Sequence, residues 1–240
     1  MSTRILMASA MVCAVVGLTG MAAFSSSARQ EQEPRDVADL KGKAFERGGL
    51  RAAAQVTGNV RHGMNPHGGR DASTLKFLTD NSRLIVIGEI RGGRGWLSEP
   101  GDTITTDYDV AVERVLKGPA KAGDHVTVSV LGGRVAFEGG SWAQIDTPGM
   151  MPPLKGQTFV LFLELSDRHP GPAQRAAARG PIYSPAFMSR GIYLIDHGIV
   201  NPRVYLSHPL AVAYRGKSES TLVNDILDIV DRTGRNEAIR

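Results

Sequence analysis

The sequence predicts a mainly β protein: a small antiparallel β-barrel with a short helix before strand one and an amphipathic helix at the C-terminus. Three observations carry this. Glycine is abundant, at 28 of 240 residues, while aromatic residues make up only 6%, so turns are many and the core is aliphatic. Five segments between residues 83 and 200 alternate, or run apolar, over strand lengths. One of them, Thr158–Leu165 (TFVLFLEL), is apolar on both faces up to Glu164, which is the pattern of a central strand covered on two sides.

The N-terminus reads as a targeting segment. Arg4 is the only charge before Arg29, Ile5–Phe24 is apolar, and Ser25, Ser26, Ser27 and Ala28 are small. A basic start, an apolar middle and a small-residue end describe a secretory signal peptide over residues 1–28. The alternative is an uncleaved anchor, since an apolar run of this length can span a bilayer. Glycines, Ser9 and Thr19 make it only mildly hydrophobic, and cleavage after Ala28 is the expectation. The mature chain then lacks cysteine, because Cys13 is the only one. Disulfides, a thiol nucleophile and a thiolate metal site are excluded. Cleavage leaves 27 basic residues against 24 acidic ones, a net charge of +3 with the signs interspersed. A nucleic-acid binder would concentrate its basic residues on one face, so no nucleic-acid partner is expected.

Residues 29–70 read as a flexible linker, polar and glycine-rich, with few large apolar residues, Val37, Leu40 and Phe45 among them. The ordered domain is expected over 71–240. It opens with a short helix in DASTLKFLTDNS, capped by Asp71 or Ser73. Strands follow at Arg83–Arg91, Asp107–Lys117, His125–Leu131 and Thr158–Leu165, with a hairpin from Ile192–Ile195 to Ile199–Val200. In the second strand the alternation slips at Arg114–Val115–Leu116, which predicts a bulge. Gly132–Gly156 and Ser166–Gly191 read as long irregular stretches, a length usually reserved for functional or mobile loops. Glu219–Arg232 carries Leu222, Val223, Ile226, Leu227 and Val230 on one face, the stripe of a helix docked on a sheet.

The glycines of LIVIGEIRGGRGWL (Leu84–Leu97) resemble a nucleotide loop only superficially. Gly93 and Gly95 have the first spacing of a dinucleotide fingerprint, but Ser98 stands where the third glycine belongs and no helix follows. A Walker lysine is absent. Arg91–Asp102 is therefore expected to be a hairpin connection, with Trp96 and Leu97 covering one end of the barrel.

No catalytic constellation emerges. His62 and His67 stand five apart, off helical metal-ligand spacing, and the other histidines lie in separate segments, so neither a metal nor a cofactor is expected. Ser141 has no assignable base or oxyanion donor. Asp107 and Asp109 share the outer face of a strand and read as solvated charges.

The ordered strand set RLIVIGEI, YDVAVERVLKG, HVTVSVLGG and LKGQTFVLFLEL resembles the netrin-like OB barrel, the fold of the tissue inhibitors of metalloproteinases, and more closely its cysteine-poor bacterial secreted type. The carrying features are Val86-x-Gly88, the strand ending in Val115–Leu116–Lys117–Gly118, and Gly156 three residues before Phe159. The resemblance covers about Ser73–Val230 and implies an OB-like barrel, whose closure removes exposed edges. Inhibition of metalloproteases is not implied. Those inhibitors chelate zinc through a free N-terminal cysteine, and the mature chain has none.

The expected function is a secreted or periplasmic, non-catalytic binding module whose partner is another envelope or extracellular protein, with no membrane span after signal cleavage. Trp96, Trp142, Arg91 and Arg94 are the candidate partner-binding residues, because large amphipathic aromatics and arginines anchor interfaces. Two alternatives are kept: an envelope hydrolase with a site built from the long loops, and a structural envelope protein anchored by its N-terminal helix.

Overall fold

The computed structural model describes residues 35–63, 73–147, 153–166, 171–178, 180–204 and 206–238. Residues 1–28, read as a signal peptide from sequence, and Asp71, His67 and His169 lie outside them. Pro34–Arg240 forms one compact unit. The protein is mainly β, with one seven-stranded and one three-stranded sheet among the described residues.

The larger sheet is built around β2 (Leu84–Leu97), β3 (Ile104–Lys117), β4 (His125–Leu131), β7 (Thr158–Leu165) and β8 (Ile182–Pro185). Neighbours pair in the order β2, β3, β4, β8, β7, and β7 pairs back onto β2. The hydrogen-bonded pairings therefore run in a cycle of five strands. The pairs are antiparallel except β4 with β8, a departure from the all-antiparallel expectation. A parallel pair needs a long crossover, and the chain supplies it between Leu131 and Ile182. Beyond the cycle, β9 (Ile192–Asp196) pairs with β7, and β10 (Ile199–Pro202) pairs with β9.

Alternation of side chains divides the apolar residues of these strands between two cores. Leu84, Val86 and Ile90 point with Val110, Val112, Val128, Phe159 and Leu161 into one buried cluster. Ile85, Ile87, Val160 and Phe162 point the other way, against Leu78 of α2 (Leu75–Asp80), Leu210 of α4 (Pro209–Tyr214) and Leu222, Val223 and Ile226 of α5 (Glu219–Ala238). Strand β7 is covered on both faces, as its apolar run predicted. Thr74 caps α2, accepting from the Phe77 N–H. The bulge expected near Arg114–Leu116 is present: register slips between Ile85 and Val86 and again between Ile87 and Gly88. The C-terminal helix runs four residues past Gly234, to Ala238.

Three expectations are corrected. First, residues 35–63 of the expected linker are structured, as helix α1 (Arg35–Thr57) and strand β1 (Asn59–Gly63). The helix buries Leu50, Ala53 and Ala54, so small residues do packing that a search for large apolar ones overlooks. It breaks at Gly48–Gly49, where Gly49 takes φ 65°. A Cβ there would lie 2.3 Å from the Gly101 carbonyl oxygen, which accepts a hydrogen bond from the Leu50 N–H at 2.7 Å. Second, the stretch Gly132–Gly156 is not wholly irregular. It contains β5 (Gly133–Ala136) and β6 (Trp142–Asp146), which with β1 make the smaller sheet, β1 parallel and β5 antiparallel to β6. Third, Ser166–Gly191 supplies α3 (Pro172–Ala177) and β8.

Candidate functional site

The glycine-rich half of β2 is strand, not turn. Arg91–Leu97 continues the pairing with β3 as far as Leu97 opposite Ile104. The reversal falls at Ser98–Thr103, where the Ser98 N–H donates to the Thr103 carbonyl at 2.8 Å and the Ser98 hydroxyl bonds Asp102 at 2.9 Å. The glycines answer to close neighbours. A Cβ on Gly95 would lie 2.2 Å from the Arg134 carbonyl oxygen on β5, and one on Gly93 would lie 3.0 Å from the Tyr108 ring. Without a side chain at Gly95 the smaller sheet can approach β2, and without one at Gly93 the Tyr108 ring can lie close against the strand.

The other face of this ribbon forms a cleft of about 330 Å³, floored by Gly92 and Gly93. Its walls are Arg94 and Trp96 from β2, Asp107, Tyr108 and Asp109 from β3, Thr127 from β4, and Ala177 and Ala178 at the end of α3. Register explains the assembly: Gly92 is opposite Asp109, Arg94 opposite Asp107, and Asp109 opposite Thr127, so these side chains emerge on one face. Helix α3 is drawn over them by Gln174, whose Nε2 donates to both Asp107 oxygens at 3.0 and 2.9 Å. Asp109 Oδ1 lies 2.7 Å from His125 Nδ1. Tyr108 is buried behind the floor, which pushes its hydroxyl up to about 12, against a smaller opposing effect of its bond with Thr106. Thr106 in turn donates to the Gly132 carbonyl at 2.8 Å, linking the cleft's rear wall to the smaller sheet.

The four residues expected to meet a partner divide. Arg94 and Trp96 line the cleft, with the guanidinium carbon 4.2 Å from the indole centroid, a cation–π contact. The Trp96 Nε1 atom is buried without a hydrogen-bond partner among the described residues. Arg91 stands just outside, exposed and bonded to Glu89 at 2.9 Å. Trp142 is not part of the lining. It sits half-buried at the start of β6, with Arg134 stacked 4.1 Å over its ring. Gln174, Ala177 and Ala178 were missed from sequence. The signal was present in PAQRAA, where a proline at the first helical turn precedes good helix formers.

Among the described residues there is no cluster of three or more histidine, cysteine, aspartate or glutamate side chains fit to hold a metal ion, and no helix long and apolar enough to cross a membrane. His62 lies on β1, His125 on β4, His197 beside Asp196, and His208 caps α4. No family model matches the chain, and no curated protein matches it.

Proposed function

We propose that the protein is a secreted or periplasmic binding module on an OB-like barrel, and that the cleft on the β2–β3 ribbon receives a partner protein of the envelope or extracellular space. The observation that carries this is the pairing cycle together with the position of the cleft. The five strands follow the order in which an OB barrel closes, and the cleft lies between the hairpin joining the first two of them and the segment joining the last two, the side on which such barrels take extended ligands. The netrin-like resemblance supports the same barrel. Secretion rests on the composition of residues 1–28. The cleft supplies an aromatic anchor, a guanidinium and two carboxylates within one concavity, the mixture that gives interfaces their specificity.

The test is capture with the full chain, tagged at its C-terminus and produced in its own host, followed by crosslinking and mass spectrometry of envelope and culture fluid. One dominant protein, crosslinked through Gly92–Asp109 and lost on Trp96→Ala, is the expected result. Trp142→Ala is expected to retain it. Capture that survives both substitutions would overturn the assignment.

The hydrolase alternative has one geometric support, the Asp109–His125 pair, of which Asp109 lines the cleft. It requires turnover of a wall-derived glycan or peptide that disappears with His125→Asn, and a substrate screen without turnover removes it.

A further inference from the structure

Within that binding reading, we infer that the cleft takes a single cationic side chain, a lysine or arginine of the partner protein, between Asp107 and Asp109. The two residues are one pleat apart on the same face of β3, which places their Cα atoms about 6.6 Å apart, close enough for one guanidinium or ammonium group to reach both. Neither carboxylate has a lysine or arginine partner among the described residues. Asp107 accepts from the neutral Gln174 amide, and Asp109 meets the His125 ring. Arg94 is directly opposite Asp107 in register, yet its guanidinium lies over the Trp96 ring. Arg91, the next cation along β2, is bonded to Glu89. Among the described residues the carboxylates are thus held in place by the Gln174 amide and an imidazole, with no lysine or arginine paired to them.

The cleft has room for the guest where the carboxylates are. Gly92 is opposite Asp109, and a Cβ built on Gly92 meets nothing within 4 Å. The space over the floor is open at the position from which Asp109 can be reached. A phosphate backbone would face two carboxylates and is disfavoured.

The test uses the full chain and two probes, an acetylated Gly-Arg-Gly tripeptide amide and its citrulline analogue, which keeps shape and loses charge. Two-dimensional NMR reports on the Trp96 indole N–H and the backbone of residues 92–94 and 107–109. The arginine peptide is expected to shift these signals, with the citrulline peptide at least tenfold weaker. Asp107→Asn with Asp109→Asn is expected to abolish the shift. Gly92→Val is expected to do the same by filling the open space while leaving both carboxylates intact. Equal binding of the two peptides overturns the inference, as does a neutral oligosaccharide (maltotriose) that shifts the same signals while the arginine peptide does not. The outcome also separates this inference from the reading beneath it. If a captured partner is lost on Trp96→Ala but insensitive to the Asp107 and Asp109 substitutions, the module stands and the cationic guest falls. If capture ignores Trp96 as well, the module reading falls.

Discussion

Leu84–Ile90 and Arg91–Leu97 belong to one continuous strand and pair with the same neighbour, β3, yet they are composed oppositely. The first half is aliphatic and buries both of its faces, Leu84, Val86 and Ile90 in one core and Ile85 and Ile87 in the other. The second half has three glycines, two exposed arginines and a half-buried tryptophan. The first half holds the structure by filling space. The second half works by leaving it empty, inward so that β5 can approach at Gly95, outward so that a cleft opens over Gly92. The same residue type therefore has opposite tolerances three positions apart.

The largest expected effect lies in the filled half. Ile85 is fully buried, and Ile85→Ala should cost about 2–5 kcal/mol from lost burial plus the cavity left behind. Urea unfolding followed by far-UV circular dichroism measures it. A loss below about 1 kcal/mol would mean that this half is less tightly packed than its burial implies.

Gly95→Val should come next, at about 1–3 kcal/mol, because the new side chain drives the Arg134 carbonyl and the smaller sheet away from β2. The diagnostic is faster amide hydrogen exchange in Gly133–Ala136 than in His125–Leu131. Uniform exchange across both segments would contradict a local separation of the sheets.

Tyr108, opposite Gly93, ties the comparison to pH. Burial raises its hydroxyl from about 10 to about 12, so the folded state favours the neutral phenol. Its contribution is fully present below pH 10 and is lost as pH rises through about 12. Tyr193 and Tyr214 are also raised by burial, so Tyr108→Phe should make the alkaline loss of stability shallower without removing it. Unchanged steepness would show that Tyr108 ionises without opening the fold.

The smallest effect belongs to the second sheet. The hydrogen bond from Arg61 holds the Asp146 carboxyl below the usual carboxylate range. Its contribution is present above the ordinary carboxylate value and lost as pH falls towards the lowered one. The pair is largely exposed, so the contribution is small and screened by salt. Asp146→Asn should flatten the acid limb of the stability curve slightly at low ionic strength and not at all in high salt.

The same contrast explains what could be read from sequence. Strands β4 and β7 were legible to the residue, and β9, β10, α2 and α5 nearly so, because each carries its own periodicity. The glycines of Arg91–Leu97 read as a turn because the neighbours that call for them are distant in sequence, as with Gly95 and the Arg134 carbonyl. Helix α1 read as linker because its buried apolar residues are Ala44, Ala53, Ala54 and one leucine. Of the site, Arg94 and Trp96 were legible as candidate partner-binding residues alongside Arg91 and Trp142, and Asp107 and Asp109 as residues sharing a face, there read as solvated charges. What brings them into one cleft is Gln174 and the end of α3, whose place depends on β8 pairing across to β4. Such a contact leaves no local pattern.

The measurement that tests the account most directly is Gly92→Val, with unfolding and partner binding read on the same preparation. The account predicts an unfolding midpoint within about 0.5 kcal/mol of the parent protein, since the added side chain meets open space, together with at least a tenfold loss of binding to the captured partner. A folded Gly92→Val protein that binds its partner undiminished would contradict it.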